Sequence, residues 1–112
     1  MLKTLNRALV QLAAALPANS TVAMIMPNVL GQLNALAVGD HVLLDLADGR
    51  GAETVQYTHT APLTLTAGLI HLPITRAVEG TALNWPKYHC LHQSTSEVYL
   101  AQMICKHMGN CP

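Results

Sequence analysis

Six side chains toward the C-terminal end could do chemistry together: His89, Cys90, His92, Cys105, His107 and Cys111. Thiolate and imidazole are the ligands of tetrahedral zinc. Their spacing here is Cys-x-His twice and then a terminal Cys, which differs from the paired spacings of common zinc templates. Zinc binding therefore stays a secondary expectation, and no metal ligand or cofactor is assigned. Cys90 with His92, or Cys105 with His107, also pairs a thiol nucleophile with an imidazole base. The sequence names no third group to orient that base and no oxyanion donors. No catalytic residue is assigned, and the chain is read as non-enzymatic. Cys105 and Cys111 form a candidate disulfide for a protein that meets oxidising conditions. Cys90 is then read as a free thiol packed as a small apolar residue.

The carboxylates are no more convergent. Asp40, Asp45 and Asp48 gather near a turn, but they lack the Asp-x-Asp-x-Asp-Gly spacing and distal acid of a calcium loop. They are read as a solvated hairpin end. There is no phosphate-binding glycine loop and no Gly-x-Ser-x-Gly elbow. His41, His59 and His71 fall within strand patterns and are expected at a surface or interface.

Composition narrows the function further. The chain has 112 residues, enough for one domain with a modest core. Only 11% of residues are charged, against about 25% in ordinary domains. The net charge is zero, so little repulsion keeps copies apart. A compact Ala- and Leu-rich monomer and a subunit buried in an assembly both fit that economy of charge. Scattered Lys and Arg and only four aromatic residues argue against nucleic acid. No apolar run approaches the ~18 residues of a membrane span. Lys3 and Arg7 precede an apolar stretch as in a signal peptide, but Gln11 interrupts it, and the segment is expected to be retained.

The elements that would position these residues are mainly strands. Residues 52–58 alternate Glu53, Val55 and Tyr57 against Thr54, Gln56 and Thr58. Residues 63–66 and 70–75 follow, joined by Ala67-Gly68, and a turn is expected over 76–81 with Gly80 at positive φ. Upstream, 21–26 and 41–46 read as strands, with Asp48 to Gly51 a hairpin turn into 52–58. Residues 28–38 read as a loop with partial helix, and 87–93 as a last strand. Leu2, Leu5, Leu9, Leu12 and Leu16 recur at steps of three and four, the stripe of a helix over 2–16 stopped by Pro17. Ser94 and Glu97 form a capping box ahead of a helix over 95–108 that Gly109 ends.

Four pieces in order carry a resemblance. They are Glu53-Thr54-Val55-Gln56-Tyr57-Thr58, Leu63-Thr64-Leu65-Thr66, Arg76-Ala77-Val78-Glu79-Gly80-Thr81 and Ala82-Leu83-Asn84-Trp85-Pro86. Together they resemble a small β-domain of tailed-bacteriophage tail, baseplate and fibre-attachment proteins, best matched over 39–93. That pattern reads Arg-(Gly/Ala)-x-Glu-Gly-Thr across 76–81. The chain departs from it at Lys87-Tyr88, where such domains carry a Gly-containing turn.

The expected fold is a single domain over 1–112. It is a small antiparallel β-sandwich or barrel-like domain over 21–93, with an N-terminal and a C-terminal helix. The resemblance implies a structural virion protein, a tail or baseplate adaptor that contacts tail or baseplate subunits or fibres as a homo-oligomer. Two alternatives stand beside it: a head-decoration or head–tail connector protein, and a small secreted or zinc-binding protein that uses the Cys/His group. The leucine stripe Leu2, Leu5, Leu9, Leu12 and Leu16 is the expected interface. Glu53, Arg76, Glu79, Gly80 and Trp85 form the structural motif, with an ion pair from Arg76 to one of the two acids.

Overall fold

A computed structural model describes residues 10–93. The helix expected over 95–108, and Leu2, Leu5 and Leu9 of the leucine stripe, lie outside the described residues. Within 10–93 the chain is mainly β. Its strands are β1 (Val10–Gln11), β2 (Val22–Ile25), β3 (His41–Asp48), β4 (Gly51–Thr58), β5 (Leu65–Thr66), β6 (Leu69–Pro73), β7 (Thr75–Gly80) and β8 (Cys90–Gln93). A 3-10 turn, Pro27–Val29, leads into the short helix α1 (Leu30–Asn34). The strands form two antiparallel sheets, ordered β1-β8-β3-β4-β7 and β2-β6-β5.

The β3–β4 hairpin is the longest ladder and follows its alternation. Val42 pairs with Tyr57, Leu44 with Val55 and Leu46 with Glu53, and all six side chains are buried. The Asp48 carboxylate accepts the Arg50 N–H at 2.7 Å, an Asx-type closure that fixes the two-residue turn. In β6, Ile70 and Leu72 point into the core, opposite Ile25 and Ala23 of β2. Val29 and Leu33 on the helical segment complete the core from one end. Asn34 holds α1 in place: its amide donates to the Leu63 carbonyl at 2.8 Å and accepts the Leu63 N–H at 2.7 Å.

The two sheets are joined along two seams. Ile25 bridges Leu12, just beyond β1, and Met26 N–H donates to the Gln11 carbonyl. On the other side β6 runs straight into β7 through Ile74, whose N–H donates to Thr21 while Thr75 already faces Gln56 of β4. Hydrogen-bonded pairing thus passes from one sheet to the other on both sides of one core.

The expected helix over 2–16 is corrected where residues 10–16 are described. Leu12 N–H donates to His89, Ala13 N–H to Met24, and Leu16 exchanges both backbone bonds with Trp85. Those donors and acceptors are spent across the fold, so no i to i−4 ladder forms, and the leucine spacing is overruled by tertiary pairing. Leu12 and Leu16 are fully buried. They belong to the core and not to an interface.

The expected turn over 76–81 is also corrected: most of it is β7, the outer strand of the five-stranded sheet. Its register with β4 jumps between Thr54–Glu79 and Gln56–Thr75. Arg76, Ala77 and Val78 thus stand against Val55 alone, a bulge that re-aims side chains. Ala77 has φ 49° and Gly80 φ 78°. A Cβ on Gly80 would lie 2.3 Å from the Ala52 carbonyl oxygen. Gly80→Ala is therefore expected to cost more than about 2 kcal/mol, through both the left-handed backbone and the clash. Three residues earlier, Ala77→Gly relieves strain and is expected to be neutral or to gain up to about 1 kcal/mol. Urea unfolding of both variants checks this; a Gly80→Ala protein as stable as the parent would contradict it.

Candidate functional site

Glu53 and Arg76 reach the same buried point from adjacent strands, Glu53 on β4 and Arg76 on the β7 bulge. Arg76 Nε donates to Glu53 Oε2 at 2.6 Å and Nη2 to Oε1 at 2.8 Å. The two side chains are 8% and 0% exposed, so this is a buried, bidentate pair. The remaining guanidinium hydrogens are also used. Nη1 donates to the Pro17 and Ser20 carbonyls and Nη2 to that of Leu83. Glu53 in turn accepts Trp85 Nε1 at 2.8 Å, the Leu83 N–H and the Ala77 N–H. All five N–H groups of Arg76 are used, and the two oxygens of Glu53 accept five donors, so neither group has hydrogen-bonding capacity to spare. Among the described residues no buried side-chain nitrogen or oxygen lacks a partner.

Burial alone would raise the Glu53 carboxyl pKa. Hydrogen bonds from Arg76, Trp85 and Leu83, with the guanidinium charge, outweigh that and hold it below its ordinary value.

Around this hub lies a polar rim. Arg50 sits 5.4 Å from the centre of the Trp85 ring, donates to the Asn84 carbonyl and pairs with Asp48 at 2.8 Å. Hydrogen bonds from Arg50 lower the Asp48 carboxyl pKa. His89 lies 5.0 Å from Trp85, ring centre to ring centre, and its Nε2 meets the Ala47 carbonyl at 3.0 Å. Trp85 is thereby covered and only 1% exposed.

The structure brings Glu53, Arg76, Gly80 and Trp85 of the sequence motif into one place. Glu79 is exposed on β7, opposite Thr54, so the ion pair of Arg76 is with Glu53. Cys90 is disulfide-bonded, which corrects its reading as a free thiol. Cys105, Cys111 and His107 lie outside the described residues. The expected Cys105–Cys111 disulfide falls on those residues. His92 faces Asp45 across β8 and β3. Among the described residues no three His, Cys, Asp or Glu side chains converge as a metal site would require.

Two surface assignments also change. His59 is buried, with its Nδ1 2.5 Å from the Tyr57 hydroxyl, and burial raises the Tyr57 pKa. Asp40 is buried too and accepts the Ala37 N–H at 3.0 Å. Both contacts are short-range, His59 to Tyr57 two positions back and Asp40 to Ala37 three positions back, but His59 lies past the end of β4 and Asp40 in the turn before β3. Nothing local showed that Pro17 and Ser20 would supply carbonyls to Arg76. No helix among the described residues is long and apolar enough to cross a membrane. No family model, curated protein or solved structure matches the chain.

The depressed Glu53 pKa sets a pH dependence. A carboxyl held low in the folded chain contributes its full stability above the unfolded glutamate value of about 4.3. That contribution falls as pH drops and is gone below the folded value. Glu53→Gln is expected to cost about 3–5 kcal/mol at neutral pH, because Arg76 is left buried without its counter-charge. It should also flatten the loss of stability as pH falls below about 5. Urea unfolding across that range checks both, and unchanged stability at neutral pH would contradict the assignment.

Proposed function

We propose that this protein is a structural component of a tailed-bacteriophage virion, an adaptor in the tail or baseplate that acts through contacts between subunits. The observation that supports this reading best is the convergence of the resembling motif. Glu53, Arg76, Gly80 and Trp85 are spread over 33 positions of sequence; Glu53, Arg76 and Trp85 are held as one hydrogen-bonded unit, with Gly80 opposite Glu53 in the strand register. Their polar groups are spent on holding segments together, which is the task of a scaffold.

The distribution of charge supports the same reading. Residues 10–39 and 54–75 contain no Lys, Arg, Asp or Glu. A surface so poor in charge loses little hydration when covered by a neighbour. The disulfide at Cys90 suits a particle that persists outside the cell. It also weighs against the zinc-binding alternative, since a disulfide sulfur is no thiolate ligand. A head-decoration or connector role shares the core and the low charge, but the motif favours the tail.

Mass spectrometry of purified phage particles from cells carrying this gene tests the proposal. The protein is expected in the particles at a fixed ratio to tail proteins, and in tail rather than head fractions after the two are separated. Expression in the lysate with none in the particles would overturn it.

A further inference from the structure

Val42, Leu44 and Leu46 of β3 turn into the core, so Leu43 and Asp45 between them face the other side of the five-stranded sheet. The register sets Leu43 opposite Gln56, and Asp45 between Thr54 of β4 and His92 of β8. Cys90, two positions before His92, shares that outer face. The outer face of an antiparallel sheet is ordinarily its solvated side. Here its middle is covered. Leu43 is only 5% exposed and Thr54 only 6%, and Asp45, Gln56, Cys90 and His92 are half-buried. Among the described residues Leu43 is the one buried hydrophobic side chain outside the core cluster. Side chains on one face of a sheet stand beside one another and not over one another. Neighbours in the sheet therefore do not account for a leucine this well covered. Toward both ends of the β3–β4 hairpin the face opens again, with Ala47, Ala52 and Thr58 exposed.

We propose that the chain's own C-terminal segment, residues 94–112, lies over the middle of this face as a strap held by the disulfide of Cys90. Three observations select that occupant. Cys90 stands on the covered face and is disulfide-bonded, and the other two cysteines of the chain, Cys105 and Cys111, both belong to 94–112. Strand β8 ends at Gln93, whose side-chain amide donates to the Leu43 carbonyl at 3.1 Å, so the segment sets out from beside the covered patch. It also carries Val98, Leu100, Met103 and Ile104, with Glu97 and Lys106 as its formal charges. Such side chains can take Leu43 out of water. The disulfide makes the docking intramolecular, so a modest contact area holds the strap down. A dithiol that passes two electrons and two protons to the two sulfurs, becoming a disulfide itself, releases the strap and bares Leu43. This holds whether or not the protein belongs to a virion.

The full-length protein tests this in two steps. Digestion without reductant by a glutamyl endopeptidase cuts after Glu97 and separates Cys90 from Cys105 and Cys111. In the mass spectrum, a fragment of 98–112 is expected to remain joined to the one that holds Cys90. Cys90 joined to a second chain, or Cys105 joined to Cys111, would overturn the proposal. Trypsin cleavage at Lys106 in the folded, oxidised protein then reads whether the strap is down. Leu43→Asp is expected to speed that cleavage roughly tenfold or more, and a dithiol reductant to do the same to the parent. Val78→Asp, on exposed β7, should leave the rate unchanged. Circular dichroism reports folding, and Leu43→Ala, which leaves the core cluster whole, decides if Leu43→Asp does not fold. A cleavage rate in the folded Leu43 variant equal to that of the parent would place the segment elsewhere and overturn the proposal.

Discussion

The ion pair between Glu53 and Arg76 is the constraint on which the rest of this domain depends. A buried carboxylate is costly unless it is paired and hydrogen-bonded, and Glu53 sits among core residues with its side chain fully covered. Its presence there is possible only because Arg76 arrives from β7 in a bidentate geometry and three further donors complete the set. Buried ion pairs often do no better than hydrophobic side chains of similar volume. The contribution of this one is therefore best understood as specificity. Arg76 fixes carbonyls at 17, 20 and 83 relative to β4. These lie in segments with few ladder bonds of their own, and the guanidinium gives them a single position.

Several local features follow from delivering that guanidinium inward. Arg76 stands where β7 has three residues against one on β4, and the bulge turns a side chain toward the core. Ala77 takes a left-handed backbone, φ 49°, which aims its N–H at Glu53. Gly80 returns the strand to pairing where Ala52 leaves no room for a Cβ. The left-handed Ala77 and the glycine at position 80 thus answer one geometric demand. The Trp85 indole, whose only polar atom reaches Glu53, closes the same volume from the other end of the sequence.

What could be read in advance divides along the range of the interactions. Strands β2, β3, β4 and β6 were legible because alternation and turn residues act within a few positions. Gly80 at positive φ was legible for the same reason. The pairing of residues 10–16 was not. Leu12 and Leu16 have helical spacing, and only the distant carbonyls of His89 and Trp85 make them strand-like. Strand β7 was hidden because a bulge breaks alternation. An acid in the core at Glu53 could be placed on the inner face, alongside Val55 and Tyr57, but its five donors come from residues 23 to 32 positions away. His59 continues the buried face of Val55 and Tyr57 one step past the end of β4, where it pairs with Gly39 and Asp40 from the segment before β3.

The same hub bears on how the surface is used. Holding the loops through one saturated buried pair frees the outer faces from carrying structural charge. The three-stranded sheet, joined to the rest through Ile74 and Leu12, can then present apolar side chains without weakening the frame beneath it. Outward apolar residues in a free-standing monomer carry a risk of non-specific association. Val22, Met24, Thr66, Leu69, His71 and Pro73 on that sheet forgo the charges that usually guard such a face.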